Sequence, residues 1–185
     1  APTRPQLITD LIHLVVTSQV INPICKIAVA ALVVKIPMRE MFSVWPSEWP
    51  LFIQIGIAIL VADLPVYFFH RWMHSSSVGW KIHQVHHTST RIYVFSAVRI
   101  HPLNAVITTS LELLLLAVLG APVLVLSIWT VFMSLNGLLQ HANVEFGEER
   151  ILSSVFATAR SHRLHHSIDP RLANKNFGNT TMVWD

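Results

Sequence analysis

Histidine is concentrated in three short motifs, and this makes it the residue type best placed to do chemistry in the chain. The motifs read HRWMH at 70–74, HQVHH at 83–87 and HRLHH at 162–166, and they hold eight of the 11 histidines. On an α-helix, residues spaced i, i+3 and i+4 share one face. Imidazole nitrogens held this close together are typical ligands of transition metals. The spacing therefore predicts metal binding by His70, His74, His83, His86, His87, His162, His165 and His166.

These histidines are too numerous for one ion, because a structural zinc needs only four ligands. His101, in RIHP at 99–102, and His141, in QHAN at 140–143, bring the candidate ligands to ten. Ten nitrogens could fill about five positions on each of two metals and leave a sixth open on each, as O₂ activation requires. The chain contains no Glu-x-x-His motif of the soluble di-metal bundles and no HExxH motif of the zinc peptidases. The residues favour a two-metal centre built from histidine.

The composition indicates a membrane protein. Of the 185 residues, 52% are hydrophobic and 12% are charged, whereas about a quarter are charged in soluble domains. The length fits a single domain, 1–185. The formal charge of +3 comes without a lysine-rich block or basic stripe, which argues against a nucleic-acid partner. Cys25 is the only cysteine, so no intrachain disulfide can form.

Two apolar stretches in the first half of the chain are candidate transmembrane helices. Residues 50–69 carry only two polar interruptions, and 20 helical residues span about 30 Å, the thickness of a bilayer core. Residues 11–36 are also apolar, but Asn22, Pro23 and Lys26 interrupt them. That segment could be one span, a kinked span or a half-span.

The second half contains a predicted helical hairpin. Residues 103–119 and 121–140 are apolar, and a Gly-Ala-Pro turn at 120–122 separates them. Because a hairpin returns to the side from which it left, His141 and the last histidine motif lie on the membrane face that receives the first two motifs. The sequence thus predicts an all-α integral membrane bundle of about four transmembrane helices, with a helical cap that carries every histidine cluster.

Charge predicts the orientation of that cap. Nine of the 13 basic residues lie on the histidine side, and only Arg39 lies in the opposite connection, 38–49. By the positive-inside rule the histidine face is cytoplasmic. We therefore expect a protein of the bacterial inner membrane or the endoplasmic reticulum, with its metal site in the cytosol.

The order and type of these motifs resemble the fatty acid hydroxylase/sterol desaturase superfamily. The resemblance rests on HRWMH, HQVHH, RIHP, QHAN and HRLHH and covers about residues 50–185, including Asn176-Phe177-Gly178 and the terminal Trp184-Asp185. In the family, the Trp-Asp pair usually continues into a short tail similar to Leu-Phe-Gly-Thr. We therefore expect the chain to be truncated at its C-terminus.

The resemblance implies a membrane oxygenase with a histidine-ligated di-iron centre. Such enzymes hydroxylate or desaturate sterols or fatty acyl chains with O₂ and electrons from a separate donor, here expected to be a cytochrome b5-like or ferredoxin-type protein. RIHP favours the sterol desaturase-type branch, and carotenoid or ether-lipid hydroxylation is the alternative. The sequence does not separate hydroxylation from desaturation. Zinc is expected to replace iron in some purified material.

Three residues are predicted to support the metal ligands. Asp63 and Tyr67 lie on one helical stripe with His70 and His74, so Asp63 is expected to orient a ligand from the far side of its ring. Asn136, five residues before His141, is expected to bond across helices or to line a substrate slot.

Two other ionisable residues are predicted to lie outside the metal site. His13 is isolated in the ambiguous first segment. Glu112 in the outgoing span is expected to pair with Thr109, Ser110 or a neighbouring helix rather than to serve the site.

A histidine-rich membrane metal transporter or metal-binding protein is the competing class. A transporter should place its ionisable ligands near mid-bilayer, often on broken helices. The histidines here lie beyond the ends of the predicted spans, so the sequence favours the enzyme.

Overall fold

The chain folds into a bundle of helices that share one end. The structure is a computed structural model that describes residues 2–35, 44–89, 91–144 and 150–185. The described residues form no named strand, and the pairing of Phe156 with Thr181 is an isolated β-bridge. The prediction of an all-α fold is therefore confirmed.

Eleven helical segments succeed one another in the described part of the chain. They are α1 (Arg4–His13), a π-helical segment (Leu14–Ile21), α2 (Asn22–Lys35), α3 (Leu51–Ser75), α4 (Ser77–His87), a 3₁₀ turn (Val94–Val98), α5 (Pro102–Val118), α6 (Val123–Gln140), α7 (Arg150–Val155), α8 (Ala159–His165) and α9 (Pro170–Ala173).

Three helical stretches are long and apolar enough to cross a membrane. They are Arg4–Val33, Leu51–Ser75 and Val123–Gln140. Helix α5 is apolar but shorter, at 17 residues. The prediction of an integral membrane bundle is confirmed, while the count of four spans stays a prediction.

The first apolar segment is one uninterrupted helix, because α1, the π-helical segment and α2 follow each other without a break. Pro23 has no amide hydrogen, and its ring crowds the carbonyl one turn earlier, so regular α-helical bonds cannot run through it. The π-helical turns before Pro23 are wider and accommodate the missing α-helical bonds. In them the Asn22 amide donates to the Thr17 carbonyl, five residues earlier. The segment is thus helical throughout and long enough to span, while the choice among the three alternatives stays a prediction.

The N-terminal helix begins on the histidine side of the bundle and runs parallel to α5. Thr17 Oγ1 donates to the Ile100 carbonyl at 3.0 Å, immediately before α5. Further along both helices, Cys25 Sγ lies 3.8 Å from the Val106 carbonyl. This direction agrees with the predicted topology.

The interior of the bundle is closely packed around small residues of α3. Ala58 and Ala62 are fully buried and one turn apart, which allows α5 and α6 to approach the α3 backbone. Trp129 of α6 fills the remaining space. Outward-facing apolar side chains such as Phe52 and Val123 are mostly exposed, as expected for a lipid-facing surface.

Candidate metal centre

Nine of the ten predicted ligands converge at one end of the bundle. They form two groups, and within each group the candidate ligand nitrogens all lie within 4.8 Å of one another. The first group is His70, His74, His83, His87 and His165, and the second is His86, His141, His162 and His166. All nine side chains are buried or half-buried.

Each HxxHH motif contributes to both groups. On α4, His83 and His87 are one turn apart and face the first group, whereas His86 faces the second. On α8, His165 joins the first group, and the remaining two histidines of its motif join the second. The rings of His87 and His166 stack across the boundary with centroids 4.2 Å apart, so the two groups are adjacent.

A tight turn between α3 and α4 brings the first two motifs together. The Ser76 hydroxyl accepts the Gly79 amide at 3.3 Å and caps α4. A Cβ atom added at Gly79 would lie 2.6 Å from Met73 Cα, closer than real side chains tolerate. Glycine at this position therefore allows α4 to pack directly against the end of α3, which places His83 beside His70.

The segment after α9 holds two ligands through its backbone. The Phe177 carbonyl lies 2.8 Å from His70 Nδ1, and the Lys175 carbonyl lies 2.9 Å from His165 Nδ1. Asn176, between them, has a positive φ of 58°, which asparagine tolerates better than most residues. A carbonyl can only accept, so both Nδ1 atoms are donors, and the Nε2 lone pairs of these neutral rings face the site.

Two ligands of the second group are oriented in the same way by the segment before α5. His86 Nδ1 donates to the Arg99 carbonyl at 3.3 Å. His141 Nδ1 lies 2.9 Å from the Ser96 hydroxyl, which itself donates to the Tyr93 carbonyl at 2.7 Å and so accepts from the histidine. Such contacts fix the tautomer and direction of a metal-binding ring.

The spacing of the Nε2 atoms fits metal ions. Two nitrogens bound at right angles to one ion, each at about 2.1 Å, lie about 3.0 Å apart. The observed Nε2 to Nε2 distances are 3.0 Å for His70–His83, 3.1 Å for His83–His87, 2.9 Å for His141–His162, 3.0 Å for His162–His166 and 3.1 Å for His86–His166. In addition, Nε2 of His74 and of His165 is buried without a hydrogen-bond partner among the described residues.

The protonation state also suits metal binding. Burial lowers the pKa of His86 to about 4 and that of His141 to about 2, and nearby imidazoles act in the same direction. Burial likewise places the pKa values of His83, His162 and His166 far below the usual range. These rings are therefore neutral at pH 7, the form that donates a lone pair to a metal.

The structure separates His101 from both groups. Its Nδ1 accepts the Leu103 amide at 3.1 Å and caps the N-terminus of α5. A His-Pro pair at a helix start explains this role, because proline occupies the first helical position and the preceding side chain is free to cap.

The hydrogen bonds of Asp63 and Tyr67 go to residues other than the candidate ligands. Asp63 Oδ2 accepts the Thr181 amide at 3.1 Å, and the Tyr67 hydroxyl accepts from Arg71 at 3.1 Å. At 1.5 Å per residue, Asp63 is about 10 Å along α3 from His70, too far for direct contact. The ligand rings are instead oriented by backbone carbonyls and by the Ser96 hydroxyl, and Asn104 Nδ2 lies 3.3 Å from His83 Nδ1. Backbone carbonyls leave no pattern in the sequence, and Ser96 and Asn104 stand outside the histidine motifs.

A cavity of about 420 Å³ extends from the histidines into the bundle. Asn136 lies on its wall and donates to the Asn179 carbonyl at 3.0 Å, in the segment after α9 rather than in another helix, and its role in a substrate slot stays a prediction. Other lining residues at the histidine end are His70, His83, His86, His141 and His162. The cavity therefore brings residues of both histidine groups into contact with the interior of the bundle.

Comparison with known proteins agrees with this geometry. The profile of the family described as fatty acid hydroxylase matches residues 55–185. The chain belongs to the fatty acid hydroxylase family. The matched part begins within α3 and includes all nine grouped histidines, so the predicted resemblance is confirmed.

Among curated relatives of this fatty acid hydroxylase family member, an ornithine lipid hydroxylase of Rhizobium tropici is 32% identical over 141 residues, which cover 76% of this chain and 42% of the relative. An alkylglycerol monooxygenase of Danio rerio is 29% identical over 76% of this chain and 30% of the relative. A Δ7-sterol 5(6)-desaturase of Leptosphaeria maculans is 28% identical over 76% of this chain and 37% of the relative. The chain thus spans less than half the length of these relatives. No solved structure matches it significantly.

Proposed function

We propose that the chain holds two iron ions and catalyses O₂-dependent hydroxylation of a lipid. The observation that carries this proposal is the pair of adjacent all-histidine groups beside a cavity within the helical bundle. The named activities of the relatives, all oxidations of lipids or sterols, support the same class of reaction.

Iron fits both the imidazole ligands and the proposed chemistry. Imidazole sites suit iron, zinc, copper and nickel, and zinc has no redox chemistry of its own. Iron held by the two groups would supply reduction of O₂ and oxidation of an unactivated C–H bond. The five and four grouped imidazoles leave room in a six-coordinate shell for such a reactant.

The protein itself holds and shields the reacting groups. Carbonyls of Arg99, Lys175 and Phe177 keep the Nδ1 protons of three ligands in place, so the rings cannot turn away. Val66, Met73, Leu113, Met133 and Leu138 line the cavity and keep water from the hydrocarbon that lies against them. The substrate carbon is held beside His70 and His83 at the end of this wall.

The histidine face is proposed to be cytosolic, in the bacterial inner membrane or the endoplasmic reticulum. The excess of basic residues on this face supports that orientation. A cytochrome b5-like or ferredoxin-type electron donor would bind there. Hydroxylation is proposed ahead of desaturation because two of the three relatives named above are a hydroxylase and a monooxygenase, and ether lipids are the alternative to acyl or sterol substrates.

Metal analysis and a turnover assay test this function together. Protein loaded with iron under anaerobic conditions should bind about two irons per chain. With a chemical reductant and a panel of ornithine lipids, alkylglycerols, acyl lipids and sterols, it should consume O₂ and yield a product one oxygen heavier. A single labile zinc and no O₂ consumption with any lipid would instead favour metal storage or transport.

A further inference from the structure

His83 is the candidate ligand that contacts two others of the first group. Its Nε2 atom lies 3.0 Å from His70 Nε2 and 3.1 Å from His87 Nε2, so this nitrogen faces the site. A neutral imidazole carries one proton, and a ring that binds a metal through Nε2 carries that proton on Nδ1. To act as a ligand, His83 therefore needs a hydrogen-bond acceptor beside its Nδ1 atom.

The partner of this Nδ1 atom is Asn104, in the first turn of α5. Asn104 Nδ2 lies 3.3 Å from it, and Asn104 Oδ1 accepts the Thr108 hydroxyl at 3.2 Å. His83 is 4% exposed and Asn104 is 6% exposed, so their contact lies inside the bundle. The carbonyls that hold His70 and His165 can only accept, whereas an amide has a donor at one end and an acceptor at the other.

The two orientations of the Asn104 amide select different tautomers of His83. With Nδ2 towards the ring, the amide donates to Nδ1, and the ring proton lies on Nε2, where it blocks a metal. With Oδ1 towards the ring, the amide accepts from Nδ1–H, and the Nε2 lone pair is free. The two ends of an amide are nearly equal in size, so a half turn exchanges them without needing new space. The Thr108 hydroxyl can accept as well as donate, so it can bond to either end.

We propose that Asn104 positions His83 for metal binding, with its Oδ1 atom accepting the Nδ1 proton of the ring. In this orientation Asn104 Nδ2 donates to the Thr108 hydroxyl. The amide then fixes the tautomer and the direction of His83, as the backbone carbonyls do for other ligands. This assignment rests on the proposed metal centre, but it concerns metal affinity and can be measured without turnover.

Zinc affinity measures the role of Asn104 without redox chemistry, because zinc binds to imidazole and has none of its own. The affinity of the whole chain in detergent is to be measured by competition with a chromophoric chelator. Asn104→Leu is similar in shape but has no hydrogen-bonding group. It should bind zinc at one site about 10–100-fold more weakly than the wild type, the usual loss when such a partner is removed. Asn104→Ala should show a loss in the same direction and serves as a second test if Asn104→Leu does not fold.

Asn104→Asp separates positioning from packing. Aspartate has the shape of asparagine, and its carboxylate accepts hydrogen bonds, so this variant should keep the zinc affinity of the wild type or raise it. Gln84→Leu and Gln84→Glu are the matched controls, because they make the same changes at an exposed amide next to His83 in the chain. Both should leave the zinc affinity unchanged, and Gln84→Glu also controls for the added negative charge.

The outcomes separate this inference from the proposed function. Wild-type affinity in Asn104→Leu and Asn104→Ala, or a loss in Asn104→Asp as large as in Asn104→Leu, would overturn the inference and leave the metal centre in place. A loss in the apolar variants that aspartate restores supports the inference, even if the iron-loaded protein oxidises no lipid, a result that would count against the activity alone. A wild type that binds no zinc would overturn both the inference and the metal centre.

Discussion

At the scale of single residues, the grouped histidines differ sharply from those outside the groups. His165 is fully buried, its Nδ1 is held by the Lys175 carbonyl, and its Nε2 has no partner among the residues described. His101 also belongs to a sequence motif, RIHP at 99–102, yet its ring caps α5. The direction of the free ring nitrogen therefore indicates a metal ligand better than the position of the histidine in a sequence motif does.

We expect His165→Ala to abolish lipid oxidation and to remove at least one of the two irons, because the first group loses a buried ligand. His101→Ala should keep both irons and lose only about 1 kcal/mol of stability, the usual cost of a helix cap. Metal analysis by mass spectrometry and thermal unfolding would measure both effects. Loss of iron in both variants would show that His101 is a ligand after all.

At the scale of elements, the close contact between α3 and α4 controls how the first group forms. Gly79 lies so near the α3 backbone that α4 could not keep its position with a larger residue there. Gly56 lies on α3 with open space around it, so it provides a matched position where the same substitution meets nothing.

Gly79→Ala is expected to displace α4, lower the stability by about 1–3 kcal/mol and weaken iron binding, since overpacking forces the backbone to shift. Gly56→Ala should be neutral or stabilise by up to about 1 kcal/mol, because alanine is the better helix former. Thermal unfolding and iron titration of the two variants would check this. Equal behaviour would mean that α4 is held by other contacts.

The N-terminal helix also supports the metal site, although it lies outside the family match. Asp10 is buried, and its Oδ1 accepts from Arg99 Nε at 2.7 Å. The Tyr93 hydroxyl donates to the same carboxylate, and the Arg99 carbonyl accepts from His86. The segment that orients the second group is thus anchored to α1.

We predict that Asp10→Asn destabilises the protein by about 3–5 kcal/mol, because Arg99 is left buried without its counter-charge. Iron binding should weaken as the His86 and His141 rings lose their support. Asp169→Asn, which breaks an exposed pair with Arg171, is the control and should change neither property. Unaltered iron affinity in Asp10→Asn would show that the 94–99 segment holds its shape without α1.

At the scale of the whole molecule, the candidate metal centre is where separate elements of the chain meet. Its candidate ligands come from the end of α3, from α4, from the residue after α6 and from α8 with its C-cap. Nine buried or half-buried rings with ring nitrogens turned towards each other are poorly satisfied without an ion. Metal binding should therefore contribute to the stability of the native state.

Removal of metal by a chelator should lower the unfolding temperature substantially. A ligand present at a hundredfold excess over its dissociation constant stabilises by about 3 kcal/mol, and two ions would add their effects. Unfolding scans of metal-free and iron-loaded protein in the same detergent would measure the difference. Coincident scans would contradict a metal centre that joins these elements.

The sequence by itself determined which residue type is grouped, and it predicted that the groups lie at one end of a helical bundle. The types and spacing of His70, His74, His83, His86 and His87 are local properties, because helical periodicity brings residues three or four apart to one face. The apolar lengths predict helices through lipid by the same local reasoning. These features need no knowledge of distant contacts.

Only the tertiary structure decided how the histidines are divided between two groups and what orients them. His86 and His87 are neighbours in sequence but face different groups, since the choice depends on where α8 and the residue after α6 lie. Asp63 is predicted to orient His70 because the two residues share one helical face, but the backbone carbonyl of Phe177, more than a hundred residues further along the chain, takes that role. Backbone carbonyls accept hydrogen bonds whatever their side chain, so partners of this kind become visible only once distant segments have packed together.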